Sequence, residues 1–234
     1  MNKIMKIYKT LLSQFGSQHW WPVTEKGKFH PEYSNGPQNE KQKLEVIFGA
    51  ILTQNTNWNN VEKAIVRLNK HDLIDGKKIL NIDDKKLAEI IIPSGYHNQK
   101  AKKLKNFCEF LLKKYDWDLS LLFKNNIYEL RKQLIDINGI GPETADSIIL
   151  YAAKQPIFVV DAYTKRVFDR IGFKEKTYDE LQELFNKNLA KSEKLFNEYH
   201  ALLVELGKSI CKKVPLCEKC PINNHCNYYR KEVA

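Results

Sequence analysis

Apolar residues recur along the chain at intervals of three and four, the spacing of one helix face. Val61, Ala64, Ile65 and Leu68 fall on one such face. Leu104, Phe107 and Leu111 fall on a second, and Leu130, Leu134 and Ile137 on a third. LEVIFGAIL, residues 44–52, is apolar almost all round, which predicts a helix buried on every side. No hairpin signal appears, and no segment alternates apolar and polar residues over a useful length. IFVV at 157–160 is β-branched but isolated, and a lone strand has nothing to pair with. The pattern therefore predicts an all-α fold. Turns are expected at 35–37 (NGP), 93–95 (PSG), 138–142 (NGIGP), 154–156 (KQP) and in the proline- and cysteine-bearing tail. HPEYSNGPQNEK at 30–41 reads as a linker between an N-terminal segment, ending in HWWP at 19–22, and the helical body.

Length and composition narrow the class. The 234 residues suffice for one large domain or two small ones. A content of 43% hydrophobic and 28% charged residues reads as soluble and globular. No apolar run reaches the roughly 18 residues of a membrane span. MNKIMKIYKTLLSQF at the start is too polar for a signal peptide, so an intracellular, cytoplasmic location is expected. The net charge of +10 favours an anionic partner, most commonly nucleic acid. A solvated lysine surface is the plain alternative.

The stretch NGIGPETADS at 138–147 carries the first candidate chemistry. Leu130 to Ile137 reads as a helix ending at Asn138-Gly139, and Pro142 suits the first turn of a second helix. Glu143 there complements the helix dipole. Gly139 and Gly141 let the backbone take positive φ and approach a partner closely. Free amides at such a helix start bind phosphate. An ordinary turn between helices has the same pattern. Asp161, ahead of AYTKRVFDRIG, is a good N-cap.

The tail holds Cys211, Cys217, Cys220 and Cys226 in a C-x5-C-x2-C-x5-C array. Four thiols so close in an intracellular chain imply metal rather than disulfides. Zinc ribbons show two C-x2-C pairs; one pair with wide arms suits a [4Fe–4S] loop better. Lys208, Lys212, Lys213 and Lys219 on that loop can meet DNA phosphates. Cys108, mid-helix in KNFCEFLL, reads as a small buried hydrophobe.

INGIGPETADSIILYA resembles the helix-hairpin-helix of the endonuclease III superfamily of DNA glycosylases, usually Leu-Pro-Gly-Val-Gly, two residues, then Thr-Ala. VVDAYTKRVFDRIG at 159–172 resembles the family segment whose aspartate is catalytic, which places that carboxylate on Asp161. AILTQNTNW at 50–58 resembles the helix whose glutamine fills the gap left by an extruded base, a role that falls to Gln54. The cysteines resemble the family's iron–sulfur loop, with the first gap one residue shorter. These motifs run in family order from about residue 44 to 226.

The resemblance implies a two-lobed helical fold around a DNA cleft, with Asp161 at its mouth beside the hairpin. The expected division is a barrel domain over 38–155, and a second domain joining 1–37 to 156–234 and carrying the cluster loop. Bifunctional members place a lysine two residues beyond the second hairpin glycine; here that position is Glu143. A carboxylate cannot form an imine. The resemblance thus implies a monofunctional, monomeric enzyme acting on double-stranded DNA with a damaged or mismatched base.

Trp20, Trp21, Pro22 and Trp58, with SGYHNQKAKKL at 94–104, further resemble the 3-methyladenine glycosylase III branch. There these positions sandwich the flipped base. Stacking suits a cationic alkylpurine, because an aromatic face attracts positive charge. That branch has a pocket lysine where this chain has Leu202, and lacks the cysteines present here. Uracil, or thymine opposite guanine, is the alternative substrate. A glycosylase with lyase activity and a non-catalytic DNA-binding module are the alternative functions.

Overall fold

The computed structural model describes residues 2–34 and 36–233. They fall into two compact units, one continuous over residues 21–155, the other joining the segment up to Trp20 to the segment from Pro156. The elements in chain order are α1 (Lys3–Phe15), β1 (Val23–Thr24), β2 (Pro31–Glu32), α2 (Glu40–Leu52), α3 (Trp58–Lys70), α4 (Gly76–Asn81) and α5 (Asp84–Ile90). There follow α6 (His97–Tyr115), α7 (Leu119–Phe123), α8 (Ile127–Ile135), α9 (Pro142–Ser147), α10 (Ala162–Ile171), α11 (Tyr178–Asn188), α12 (Glu193–Ser209) and α13 (Asn227–Val233). Among the described residues no helix is long and apolar enough to cross a membrane.

The continuous unit is built around α2. Every residue from Leu44 to Leu52 is buried, as the all-round apolar run predicts. Helices α3, α6 and α9 pack against it, together with a π turn at Ile148–Ala152 that continues α9. Polar side chains also sit inside this shell, Glu45 among them. Glu45 accepts from the Thr24 amide at 2.7 Å and from Asn69 Nδ2 at 2.8 Å. Burial pushes its carboxyl above the usual range, against the hydrogen bonds from Asn69 and Thr24.

That staple explains two departures from the sequence reading. A short hairpin exists, with Val23 opposite Glu32 and Thr24 opposite Pro31. Strands of two residues are too short to show alternation, and side chains of α2 and α3 hold this one: Gln42 donates to Thr24 O at 3.2 Å, and Asn69 to Thr24 Oγ1 at 3.0 Å. Residues 30–41 are accordingly not a free linker. Residues 21–37 side with the continuous unit rather than with the second domain assigned to 1–37. The turn expected at 35–37 begins on Asn35, which lies outside the described residues.

In the discontinuous unit, α1 buries Ile4, Ile7 and Leu11 and is capped by Asn2, whose side chain accepts from the Met5 amide. The IFVV segment is extended and forms no strand. It is buried instead: Phe158 stacks on Phe185 at 3.6 Å between centroids and meets Phe196 and Tyr199 edge-on. Aromatic packing of this kind replaces the sheet partner that the segment lacks.

Candidate active site

The hairpin at 138–142 is set by its two helices. α8 ends at Ile135, two residues before the periodicity suggests, and Pro142 opens α9 with Gly141 as its N-cap. Arg131 on α8 pairs with Asp146 on α9, Nε to Oδ1 at 2.7 Å, and Asp146 is fully buried. This ion pair ties the two arms together.

The two glycines differ. Gly139 takes φ +95°, and a Cβ there would come 2.4 Å from Lys103 Cγ. Gly141 has φ −95°, extended backbone, with nothing within 4 Å of an added Cβ. The expectation of positive φ at both is corrected: only Gly139 needs it, because Gly141 is already the β-region cap of α9.

Gln54, in the loop after α2, lies on this hairpin. Its Nε2 donates to Gly139 O at 2.9 Å and to Thr144 Oγ1 at 3.0 Å. Its Oε1 accepts from Lys103 on α6. Gln54, Lys103, Gly139, Gly141 and Glu143 thus line one open depression. Lys103 had no signal in the sequence beyond its place in a lysine-rich helix. The Glu143 side chain is exposed, and its carbonyl accepts from Ser147 Oγ at 2.8 Å.

The aromatic candidates are distributed. Trp21 is buried, 5% exposed, and meets Trp58 edge to face at 5.3 Å and Tyr151 at 5.1 Å. Its indole also lies where a Cβ on Gly49 would sit 3.1 Å away. Trp21 is therefore a core residue of the continuous unit, beside the buried Pro22. Trp58, first residue of α3, is half-buried. Trp20 belongs to the other unit and is half-buried there.

Asp161 caps α10, as its place in the sequence predicts: Oδ1 accepts from the Thr164 amide at 2.7 Å. Its side chain is 13% exposed, and Nε2 of His200, on α12, lies 3.6 Å from Oδ2. Burial works to raise this carboxyl. The His200 imidazole and the Thr164 amide outweigh it and hold the group below the ordinary carboxylate range. His200 carried no motif; a single histidine in YHALLVEL gives no sequence sign of its partner. Leu202, two residues on, is fully buried.

The far end of α10 meets the cysteine loop. Arg166 donates to Cys211 O at 2.8 Å and Gly207 O at 2.9 Å. Arg170 donates to Cys211 Sγ at 3.2 Å and to the carbonyls of Lys212 and Lys213. Cys211, Cys217, Cys220 and Cys226 form no disulfide and are half-buried, and all four line one small cavity. Burial pushes the Cys220 thiol up to about 11, with the other three cysteines adding to the rise. Among the described residues, no three Cys, His, Asp or Glu side chains are grouped as ligands of a metal ion. Cys108 is fully buried, and burial raises its thiol further still.

A model of the family described as "HhH-GPD superfamily base excision DNA repair protein" matches residues 48–191, a span holding α2's core, Gln54, the hairpin and Asp161. The chain belongs to the HhH-GPD superfamily. It is similar, at 47% identity over 95% of each chain, to a protein of Methanocaldococcus jannaschii named as a candidate DNA repair glycosylase. Among solved structures, 3-methyladenine DNA glycosylase of H. pylori, bound to 1,N6-ethenoadenine, is 29% identical with a TM-score of 0.71. That likeness covers 88% of this chain and 98% of the other. A trapped endonuclease III–DNA covalent intermediate shares the fold, with a TM-score of 0.78 at 19% identity over the whole of both chains. In this HhH-GPD chain the hairpin, Gln54 and Glu143 come together in one unit, and Asp161 and the cysteines in the other.

Proposed function

We propose that the protein is a monofunctional DNA N-glycosylase that extrudes a damaged base from double-stranded DNA and leaves an abasic site. The observation that carries this reading is Asp161, a largely buried carboxylate held below the ordinary carboxylate range by His200 and by the Thr164 amide at the start of its own helix. Cleavage of an N-glycosidic bond sends the bonding electrons out with the base and leaves positive charge on the sugar. A fixed carboxylate stabilises that cation and accepts a proton from the water that adds to C1′. Membership of the HhH-GPD superfamily supports the assignment of this role to Asp161.

Glu143 supports the absence of a lyase step. It stands in the first turn of α9, where bifunctional relatives carry the nucleophilic lysine. An alkylated purine such as 3-methyladenine is the preferred substrate. A cationic base leaves easily and stacks well on an aromatic face such as that of Trp58, and the likeness to the 3-methyladenine glycosylase points the same way. The hairpin amides around Gly139 and Gly141 bind a phosphate, and Gln54 leaves its hairpin contacts to fill the vacated stack.

The cysteines fit a [4Fe–4S] cluster. Zinc ribbons carry two C-x2-C pairs, whereas this array has one pair with wide arms; among the described residues no side chains are grouped as ligands of any metal ion. Four thiols lining a common cavity suit ligands spread over the corners of a cluster instead. When bound, the cluster cross-links the loop of residues 211–226 and so supports Arg166 and Arg170 at the foot of α10.

The test is a panel of lesion duplexes with wild type, Asp161→Asn and Glu143→Lys. The wild type releases an alkylated purine, leaves a strand that only alkali cuts, and does not trap with borohydride. Asp161→Asn binds the duplex but loses at least roughly 10²-fold in excision rate. Glu143→Lys introduces trapping. Release of uracil or thymine alone would transfer the enzyme to the mismatch class. Efficient trapping of the wild type would overturn the monofunctional reading, and no excision of any lesion would leave a DNA-binding module.

A further inference from the structure

Asp161 is addressed from two helices. The α10 amide of Thr164 meets Oδ1, and His200 of α12 approaches Oδ2 at 3.6 Å. The imidazole is 9% exposed. Its distance from Asp161 is set further along the same helix pair. A Cβ on Gly207 would lie 2.5 Å from Tyr163, so only glycine lets α10 come this close to α12. Arg166 closes the contact by donating to Gly207 O at 2.9 Å. His200 and Gly207 are seven residues apart, two helical turns, and so share the face that α10 covers.

We infer that His200 is a positioning residue for the Asp161 carboxylate, its imidazole holding Oδ2 in one orientation in a largely buried site. The inference rests on the reading of Asp161 as the catalytic carboxylate. A buried carboxylate without a compensating charge takes up a proton. The other charged groups on the packed helices are engaged elsewhere or exposed. On α10, Lys165 lies over the Tyr178 ring, Arg166 and Arg170 hold the cysteine-loop carbonyls, and Asp169 pairs with Lys176. Tyr163 lies under the Arg166 guanidinium. On α1, Tyr8 packs against Tyr199, and Lys3, Lys6 and Lys9 are exposed. On α12 itself, Glu198 accepts from Gln18 N and Ser17 Oγ, and Tyr199 donates to Ile4 O at 2.9 Å.

The consequence has a definite sign. Burial raises the Asp161 carboxyl and His200 lowers it. Removing His200 leaves burial in place, so Asp161 must take up its proton at higher pH. The experiment follows the Asp161 carboxyl by carbon-13 NMR in wild type, His200→Phe and His200→Gln, each checked for folding by circular dichroism. Single-turnover excision is measured on the same proteins across pH. His200→Phe keeps a ring of similar size; the Asp161 titration is expected to move up by about one pH unit or more. The acid limb of the excision rate moves with it, and duplex affinity at neutral pH is unchanged. His200→Gln, which retains a donor, recovers part of the shift and carries the test if the phenylalanine variant does not fold. An unchanged Asp161 titration in a folded variant overturns the inference, as does a lower rate with an unmoved acid limb, which is the mark of a packing role. If the titration moves while Asp161→Asn excises like wild type, the catalytic reading of Asp161 falls and the His200–Asp161 pair stands as an ion pair of the fold.

Discussion

Gly139 and Gly141 sit two residues apart and make opposite demands. At Gly139 a side chain must adopt φ +95° and also displace the Lys103 stem. Gly139→Ala is expected to lower stability by about 1–3 kcal/mol, the usual cost of a side chain forced into such backbone. At Gly141 the backbone is extended and the space open, so Gly141→Ala leaves stability within about 0.5 kcal/mol of wild type. If Gly141 serves as a close-approach point for a phosphate, the same alanine weakens duplex binding whatever the sequence. Thermal unfolding and a binding titration separate the two effects. Lys100 poses a different single-residue question. It is 1% exposed and donates to Leu52 O and Ser94 O, with burial, and then Lys103, lowering its amine to about 8. In the unfolded chain the amine has the ordinary lysine value near 10.5. Between those values the unfolded chain holds a proton that the folded protein has shed. Stability relative to Lys100→Met is therefore expected to rise from pH 8 towards 10.5, by at most about 1.4 kcal/mol per pH unit. Urea unfolding of both proteins across that window checks the sign; a flat difference would rule it out.

At the scale of elements, two junctions hold the residues to which DNA binding and catalysis are proposed. The first is the pair α8–α9, held by Arg131 on the fully buried Asp146. Breaking a buried ion pair from one side leaves its charge poorly compensated, so Arg131→Met is expected to cost about 3–5 kcal/mol in denaturant unfolding. A cost below about 1 kcal/mol would show that the hairpin angle is set by packing alone. The second is the start of α10. Asparagine caps a helix about as well as aspartate, so Asp161→Asn should stay within about 0.5 kcal/mol of wild type while excision is lost. Asp161→Ala removes the cap as well and should cost about 1 kcal/mol. Comparing these two variants separates the element's stability from the residue's chemistry.

At the scale of the molecule, α10 runs from Asp161 at one end to the cysteine loop at the other, joined by Arg166 and Arg170. Purified protein is expected to be brown with broad visible absorbance, and iron rather than zinc should be found in stoichiometric amount. Colourless protein with one zinc per chain would refute the cluster. Removing the iron by chelation should raise amide exchange over 207–226 before it affects α2, because the loop leans on backbone carbonyls while α2 is buried throughout. In the continuous unit, Glu45 plays the corresponding part by tying Thr24 to α2 and α3.

Helical periodicity, the buried run at 44–52, the Asn138–Pro142 turn and the cap at Asp161 were legible in the sequence, because each is a local matter of spacing, propensity or backbone conformation. The spacing of the cysteine array was legible for the same reason: it lies within the chain. Tertiary structure decided the rest. It gave Trp21 a buried packing role and moved residues 21–37 onto the continuous unit. Their hairpin is too short to leave a pattern and is held by side chains of distant helices. It distinguished Gly139 from Gly141, since two identical residues differ only in the backbone angle and the neighbour each meets. And it brought His200 to Asp161 across 39 positions of sequence, a contact fixed by the packing of α10 on α12 at Gly207. Spacing along a chain specifies which face a residue occupies; which partner it meets there is set by how the faces are packed.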